Sequence, residues 1–163
     1  RRMIPAFDRH DSQLALEKTQ HLGGLTAAAK IMTALGERPV SSLTPGDRII
    51  TRDRGMAVLE DIRARDVTTS LIKIAARSLG HNRPEADTVL PAGQRVLIRD
   101  WRAQAVFGAG RALIPAERLL DGEFITLEPE ATVTLYDLLF DDPHILYVDG
   151  LEVASYIDDH AFF

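Results

Sequence analysis

GLTAAAKIMTALGERPVSSLTPGDRIITRD, residues 24–53, alternates short apolar runs with turn signals. KIMTA (30–34) is a strand candidate, and LGERPV (35–40) supplies a glycine turn and a proline suited to a sheet edge. TPGD (44–47) places proline and then glycine at the two central positions of a type II turn, the second of which needs positive φ. Asp47 is placed to close that turn by accepting from backbone N–H groups. RIITRD (48–53) then runs on as a strand. The order strand, turn, strand, turn, strand opens a compact β domain. Its first residue, Gly24, brings no side chain to that opening.

The rest of the chain continues in the same style. In MAVLEDIRARDV (56–67), apolar Val58, Ile62 and Ala64 alternate with polar Glu60 and Asp66. KIAARSLG (73–80) reads as a helical turn stopped by Gly80, and IPAERLLDG (114–122) as a short helix with proline at its start and glycine after its end. RVLI (95–98), FITLEP, TVTLYDLLF, HILYVDG and LEVASYI are of strand length, separated by Pro, Gly or Asp. Many short, closely spaced strands predict an all-β domain over residues 23–163. Residues 1–22 are mixed and polar; they read as a leader or arm, with SQLALEKTQHL forming a turn or two of helix stopped at Gly23-Gly24.

Composition narrows the function. The 163 residues suffice for one domain with a core. A net charge of −5, from 19 Lys and Arg against 24 Asp and Glu, offers no general attraction to nucleic acid or anionic membrane. No apolar run approaches the roughly 20 residues a membrane span needs. The absence of cysteine excludes disulfides, thiolate metal sites and a cysteine nucleophile.

Three stretches together resemble the Hint domain, the fold shared by inteins and hedgehog autoprocessing domains, and its bacterial branch in particular. The run from Gly36 to Ile49, GERPVSSLTPGDRI, matches the family pattern G-x-x-P-V-x-x-L-x-x-G-D-x-V/I throughout. ADTVLPAGQRVLI (86–98) is similar to the middle stretch, and HILYVDGLEVAS (144–155) to the closing one. The resemblance implies an all-β disc or horseshoe of long hairpins, with pseudo-twofold halves and short helical turns. It also implies autocatalytic rearrangement of the peptide bond preceding the first residue, driven by a first-residue thiol and supported by a hydroxyl and an imidazole from the middle stretch.

Carried over position by position, that chemistry is missing. The thiol position falls on Gly24, the hydroxyl position on Pro91, the imidazole position on Gln94, and the terminal His-Asn pair on Ala154 and Ser155. Gln94 hydrogen-bonds but does not titrate. Thr26 carries a hydroxyl able in principle to form an ester, without a nearby base. The expectation is a catalytically degenerate Hint domain acting as a structural or binding module, with no catalytic residue, cofactor or metal. Its partner would be a protein or its own host polypeptide, within a secreted or larger assembly. The alternative is an autoprocessing domain that still self-cleaves or splices at its N-terminal junction by an N-to-O or N-to-S acyl shift, using a hydroxyl or water. A third possibility is an all-β ligand or metal carrier.

Remaining candidates have plainer readings. His10, His21, His81, His144 and His160 show no metal-ligand spacing. His144, after Pro143, reads as a turn residue satisfied by local backbone, with a role in shaping the site as the alternative. Asp137, Asp141 and Asp142 form an acidic cluster that reads as a solvated turn rather than a calcium loop. Asp87 is expected to cap a strand or pair with Arg95, and Trp101 and Phe107 to be core or half-buried. The terminal AFF reads as the remainder of a longer strand.

Overall fold

A computed structural model describes residues 23–156. The expected arm with His10 and His21, and the end of the chain with His160 and AFF, lie outside the described residues. The strands are β1 (Leu25–Thr26), β2 (Lys30–Thr33), β3 (Gly36–Pro39), β4 (Arg48–Thr51), β5 (Gly55–Val58), β6 (Asp61–Thr69), β7 (Ile72–Ile74), β8 (Thr88–Leu90), β9 (Arg95–Ile98), β10 (Ala112–Pro115), β11 (Ile125–Leu127), β12 (Ala131–Leu139), β13 (Ile145–Val148) and β14 (Leu151–Ala154). One helix, α1 (Trp101–Phe107), lies between β9 and β10. The domain is all-β, as the strand spacing predicts.

The opening stretch folds as read. Asp47 N–H closes the turn onto the Thr44 carbonyl at 3.1 Å, and the Asp47 carboxylate accepts from Thr44 N–H at 2.9 Å. Gly46 sits at φ +97°, the left-handed region the second central position requires. β4 therefore leaves the turn in register to pair with β5, and Thr33 of β2 pairs with Ile49 of β4.

Eight strands form one sheet, in the order β10-β9-β14-β13-β2-β4-β5 with β3 on β2. The C-terminal hairpin β13–β14 is thus inserted between β9 and β2. Period-two alternation sends Leu146, Val148, Leu151 and Val153 inward with Ile31, Ile49, Val96, Ile98 and Ile114, each at most 1% exposed. Each such side chain contributes roughly 1.5–3 kcal/mol through removal from water. β6 and β12 pair over all nine residues, Asp61 opposite Leu139 and Thr69 opposite Ala131, with β1 on the other edge of β12. A third sheet has the order β11-β7-β8.

Several expectations are corrected. The KIAARSLG segment is not a helical turn. Its first residues belong to β7, whose Ile72 and Ile74 are buried at alternating positions, and the rest is loop. IPAERLLDG splits into the end of β10 and a 3₁₀ turn over Ala116–Leu119. Val58 points outward at 52% exposure, because the inward phase of that strand belongs to Ala57 and then Leu59. Trp101 and Phe107 are exposed, at 69% and 49%, on the unexpected helix α1. Arg102 stacks 4.8 Å from the Trp101 ring and Arg118 5.7 Å from Phe107, so cations rather than core cover the rings. Asp87 does not pair with Arg95. It accepts from Ala76 N–H at 2.8 Å and lies 3.7 Å from Lys73.

Candidate functional site

The start of β1, the turn before β9 and the end of β14 converge on a small cavity of about 50 Å³. Gly23, Gly24, Gln94, Asp137, Ser155 and Tyr156 are among its lining residues. A water needs roughly 10–15 Å³ of such space, so the cavity has room for water.

Gly24 is buried at φ +116°. A Cβ built there would stand 3.1 Å from both the Asp137 Oδ1 and the Tyr136 carbonyl oxygen. Gln94 lies opposite, 7% exposed. Its Oε1 accepts from Gly24 N–H at 2.9 Å, and its Nε2 donates to the Ala154 carbonyl at 2.7 Å and the Arg95 carbonyl at 3.2 Å. One carboxamide thus joins the first of the described strands to the last.

The carbonyl side of the same junction is held by β6. Arg65 Nη2 donates to the Gly23 carbonyl at 2.7 Å, while Nη1 donates to Asp137 Oδ2 at 2.5 Å. The nine-residue pairing of β6 with β12 makes this possible, since it sets Arg65 opposite Leu135, two residues from Asp137. Burial pushes the Asp137 carboxyl above its ordinary pKa, and the Arg65 guanidinium only partly offsets that.

Ser155 is fixed from behind. Its Oγ accepts from His144 N–H at 3.0 Å, and its own N–H donates to the His144 carbonyl at 2.9 Å. The His144 ring is 2% exposed, with Nδ1 2.9 Å from Asp53 Oδ2 and the Phe140 ring edge-on at 5.5 Å. The reading of His144 as satisfied by local backbone is corrected, because its ring partner Asp53 lies 91 residues away. Partial burial raises the Asp53 pKa, but the Ile145 N–H at 2.9 Å and the His144 ring outweigh it, leaving the carboxyl below its ordinary value.

Of the residues singled out from sequence, Gly24, Gln94, Ala154 and Ser155 share the cavity. Pro91 stands outside it and acts through its carbonyl, which accepts from Gln94 N–H at 3.1 Å and turns the chain. Thr26 lines a separate hollow with Lys73, Asp87 and Thr88. Asp137 does not join Asp141 and Asp142, which are exposed in the turn after β12. Among the described residues no group of three His, Asp or Glu is placed to share a metal ion. No helix among them is long and apolar enough to cross a membrane. Arg65 and Asp53 were missed from sequence; neither sits in a local motif, and both reach their partners through strand pairing.

Chemically, the Gly23–Gly24 peptide bond is gripped at both polar atoms. A guanidinium on the carbonyl oxygen is suited to stabilise negative charge developing there. A carboxamide on the N–H fixes the amide but takes up no proton at neutral pH.

The Hint domain family matches residues 24–160, and the chain belongs to that family. Solved structures share the fold at low identity. A bacterial intein-like domain from Clostridium thermocellum is 16% identical, covering 83% of this chain and 99% of its own, with a TM-score of 0.56. A DnaB intein from Synechocystis sp. PCC 6803 is 14% identical over 83% of this chain and 99% of its own, with a TM-score of 0.58. The gp41-1 intein is 11% identical over 83% and 98%, with a TM-score of 0.52. No curated protein matches the sequence.

Proposed function

We propose that this chain is a catalytically degenerate Hint domain, serving as a structural or binding module for its host polypeptide or a protein partner. The observation that carries this reading is the Gln94 carboxamide bridging Gly24 N–H and the Ala154 carbonyl. An acyl shift needs a nucleophile on the residue after the scissile carbonyl and a group to protonate the departing nitrogen. Gly24 supplies no electron pair from a side chain, and Gln94 supplies hydrogen bonds in place of a titrating ring. The net charge of −5 argues against nucleic acid or anionic membrane as the partner.

Residual autoprocessing is the second reading. It is favoured by the Arg65 guanidinium on the Gly23 carbonyl and the cavity's room for water. Water would add to the Gly23 carbonyl carbon, and the C–N bond would break to leave a carboxylate and the Gly24 amine. The deciding experiment carries a stable folded tag upstream of residue 23 and follows the purified protein by intact mass over days, with and without dithiothreitol or hydroxylamine. An unchanged mass is expected. A fragment beginning at Gly24 overturns the degenerate reading.

A further inference from the structure

Glu152 lies on the outer face of the eight-stranded sheet, opposite Tyr147 across the β13–β14 pair, and its side chain is only 2% exposed. Three guanidinium groups surround it. Arg52 Nε is 2.7 Å from Oε2, Arg99 Nη2 is 3.2 Å from Oε1, and Arg83 Nη2 is 3.9 Å from Oε2. Glu152 balances one of these cations, and Glu85, packed against Gly150 where Arg83 donates, offsets a second, so the cluster keeps one surplus positive charge in a protein of net charge −5.

The surplus comes with unused donors. Arg83 Nη1 donates to the Gly150 carbonyl at 2.8 Å, but its Nε is buried and meets no acceptor among the described residues. Among the same residues, neither Nη of Arg52 is hydrogen-bonded. The three side chains keep 26–28% of their surface accessible, so an approaching group can reach them, apart from the buried Arg83 Nε, which like Glu152 Oε1 is closed off without a hydrogen bond. Guanidinium forks at partly buried positions suit planar carboxylate recognition.

Arg83 also lines a groove of about 540 Å³ on the same face, beside Met32, Ile50 and Tyr147. Glu37 and Glu85 border the groove. Glu85 lies at the Arg83 end, against Gly150, and Glu37 belongs to β3, beyond β13 and β2 from Glu152, so the guanidinium cluster beside one end of the groove faces an acidic far side.

We propose that this face binds an acidic segment of a partner protein, with a carboxylate at Arg83, Arg99 and Arg52 and a neighbouring aromatic or aliphatic side chain over Met32, Ile50 and Tyr147. The proposal rests on the binding-module reading and gives its partner a chemistry. Charge complementarity selects the occupant: a basic segment would meet the surplus positive charge of the cluster, and a purely apolar one would leave it unused.

The test titrates ¹⁵N-labelled protein with the peptide acetyl-Asp-Phe-Asp-amide and follows the arginine Nε–H resonances by NMR. Saturable shifts of the Arg52, Arg83 and Arg99 signals are expected, with at least tenfold weaker binding of acetyl-Asn-Phe-Asn-amide and at least fivefold weaker binding to R99Q. R83Q is the companion variant, and R99Q carries the test should R83Q fail to fold. No saturable shift, or equal binding of the neutral peptide, overturns the proposal. Inorganic phosphate reproducing the same shifts at the same concentration also overturns it, in favour of a free-anion site. A tag released at Gly24 would refute the degenerate reading and leave this titration unaffected, whereas a silent titration would leave that reading standing.

Discussion

Gln94 is the residue on which most of the site turns. Its three hydrogen bonds tie together the residue before β1, the start of β9 and the end of β14, and those to Gly24 and Ala154 are shut away from bulk water. Gln94→Ala strands the Gly24 N–H and the Ala154 carbonyl, and should cost about 2–6 kcal/mol, counting 1–3 for each orphaned buried group. Urea denaturation checks it, and a loss under 1 kcal/mol would mean that water replaces the amide. Arg65→Ala removes the partner of the partly buried Asp137 carboxylate and the donor to Gly23. A loss of about 1.5–3 kcal/mol is expected from the charged hydrogen bond, read in the same assay. At this scale the sequence was half legible. That Gly24, Gln94, Ala154 and Ser155 would meet was implied by the resemblance to the Hint family, but nothing near Arg65 or Asp53 announces a partner 72 or 91 residues away.

At the scale of elements, the turn from Thr44 to Asp47 and the anchor under β13 make separate predictions. Gly46→Ala places a Cβ at φ +97° with open space around it, so only backbone strain opposes it. About 1–2 kcal/mol of destabilisation is expected from that strain, without loss of fold by circular dichroism. Asp53 holds the start of β13 through Ile145 N–H and the His144 ring. Its folded pKa lies below the ordinary value of 3.8. Its stabilisation is therefore complete above that value and lost as pH falls through the folded one. Asp137 has the opposite sign: its raised folded pKa makes its contribution grow as pH falls toward 3.8. Asp53→Asn should flatten the acid limb of the stability curve below about pH 4, measured by urea midpoints at successive pH values. An unchanged limb would assign acid sensitivity elsewhere. Strand runs bounded by Gly, Pro and Asp were readable because period two survives in the sequence. Helix α1 was overlooked although its ends are signed: Asp100 accepts from Arg102 N–H at 3.0 Å and Gly108 follows at φ +65°. Its exposed Trp101 and Phe107 hid it, since the apolar stripe expected of a buried helix face is absent.

For the whole molecule, topology rather than any one contact sets the behaviour. Because β13 and β14 sit between β9 and β2, removing everything after Leu139 opens the middle of the main sheet rather than trimming its edge. The truncated chain should lack a cooperative thermal transition, whereas the intact domain should unfold in one step; calorimetry on both decides it. No local pattern in the sequence records this interleaving, which long-range pairing creates; only the family resemblance pointed to the disc of hairpins. The interleaving also brings the first and last of the described strands to one spot, where a single amide spans Gly24 and Ala154. A polypeptide running in at one and out at the other uses a single doorway, and tension along it would be borne by that bridge before reaching the strands behind.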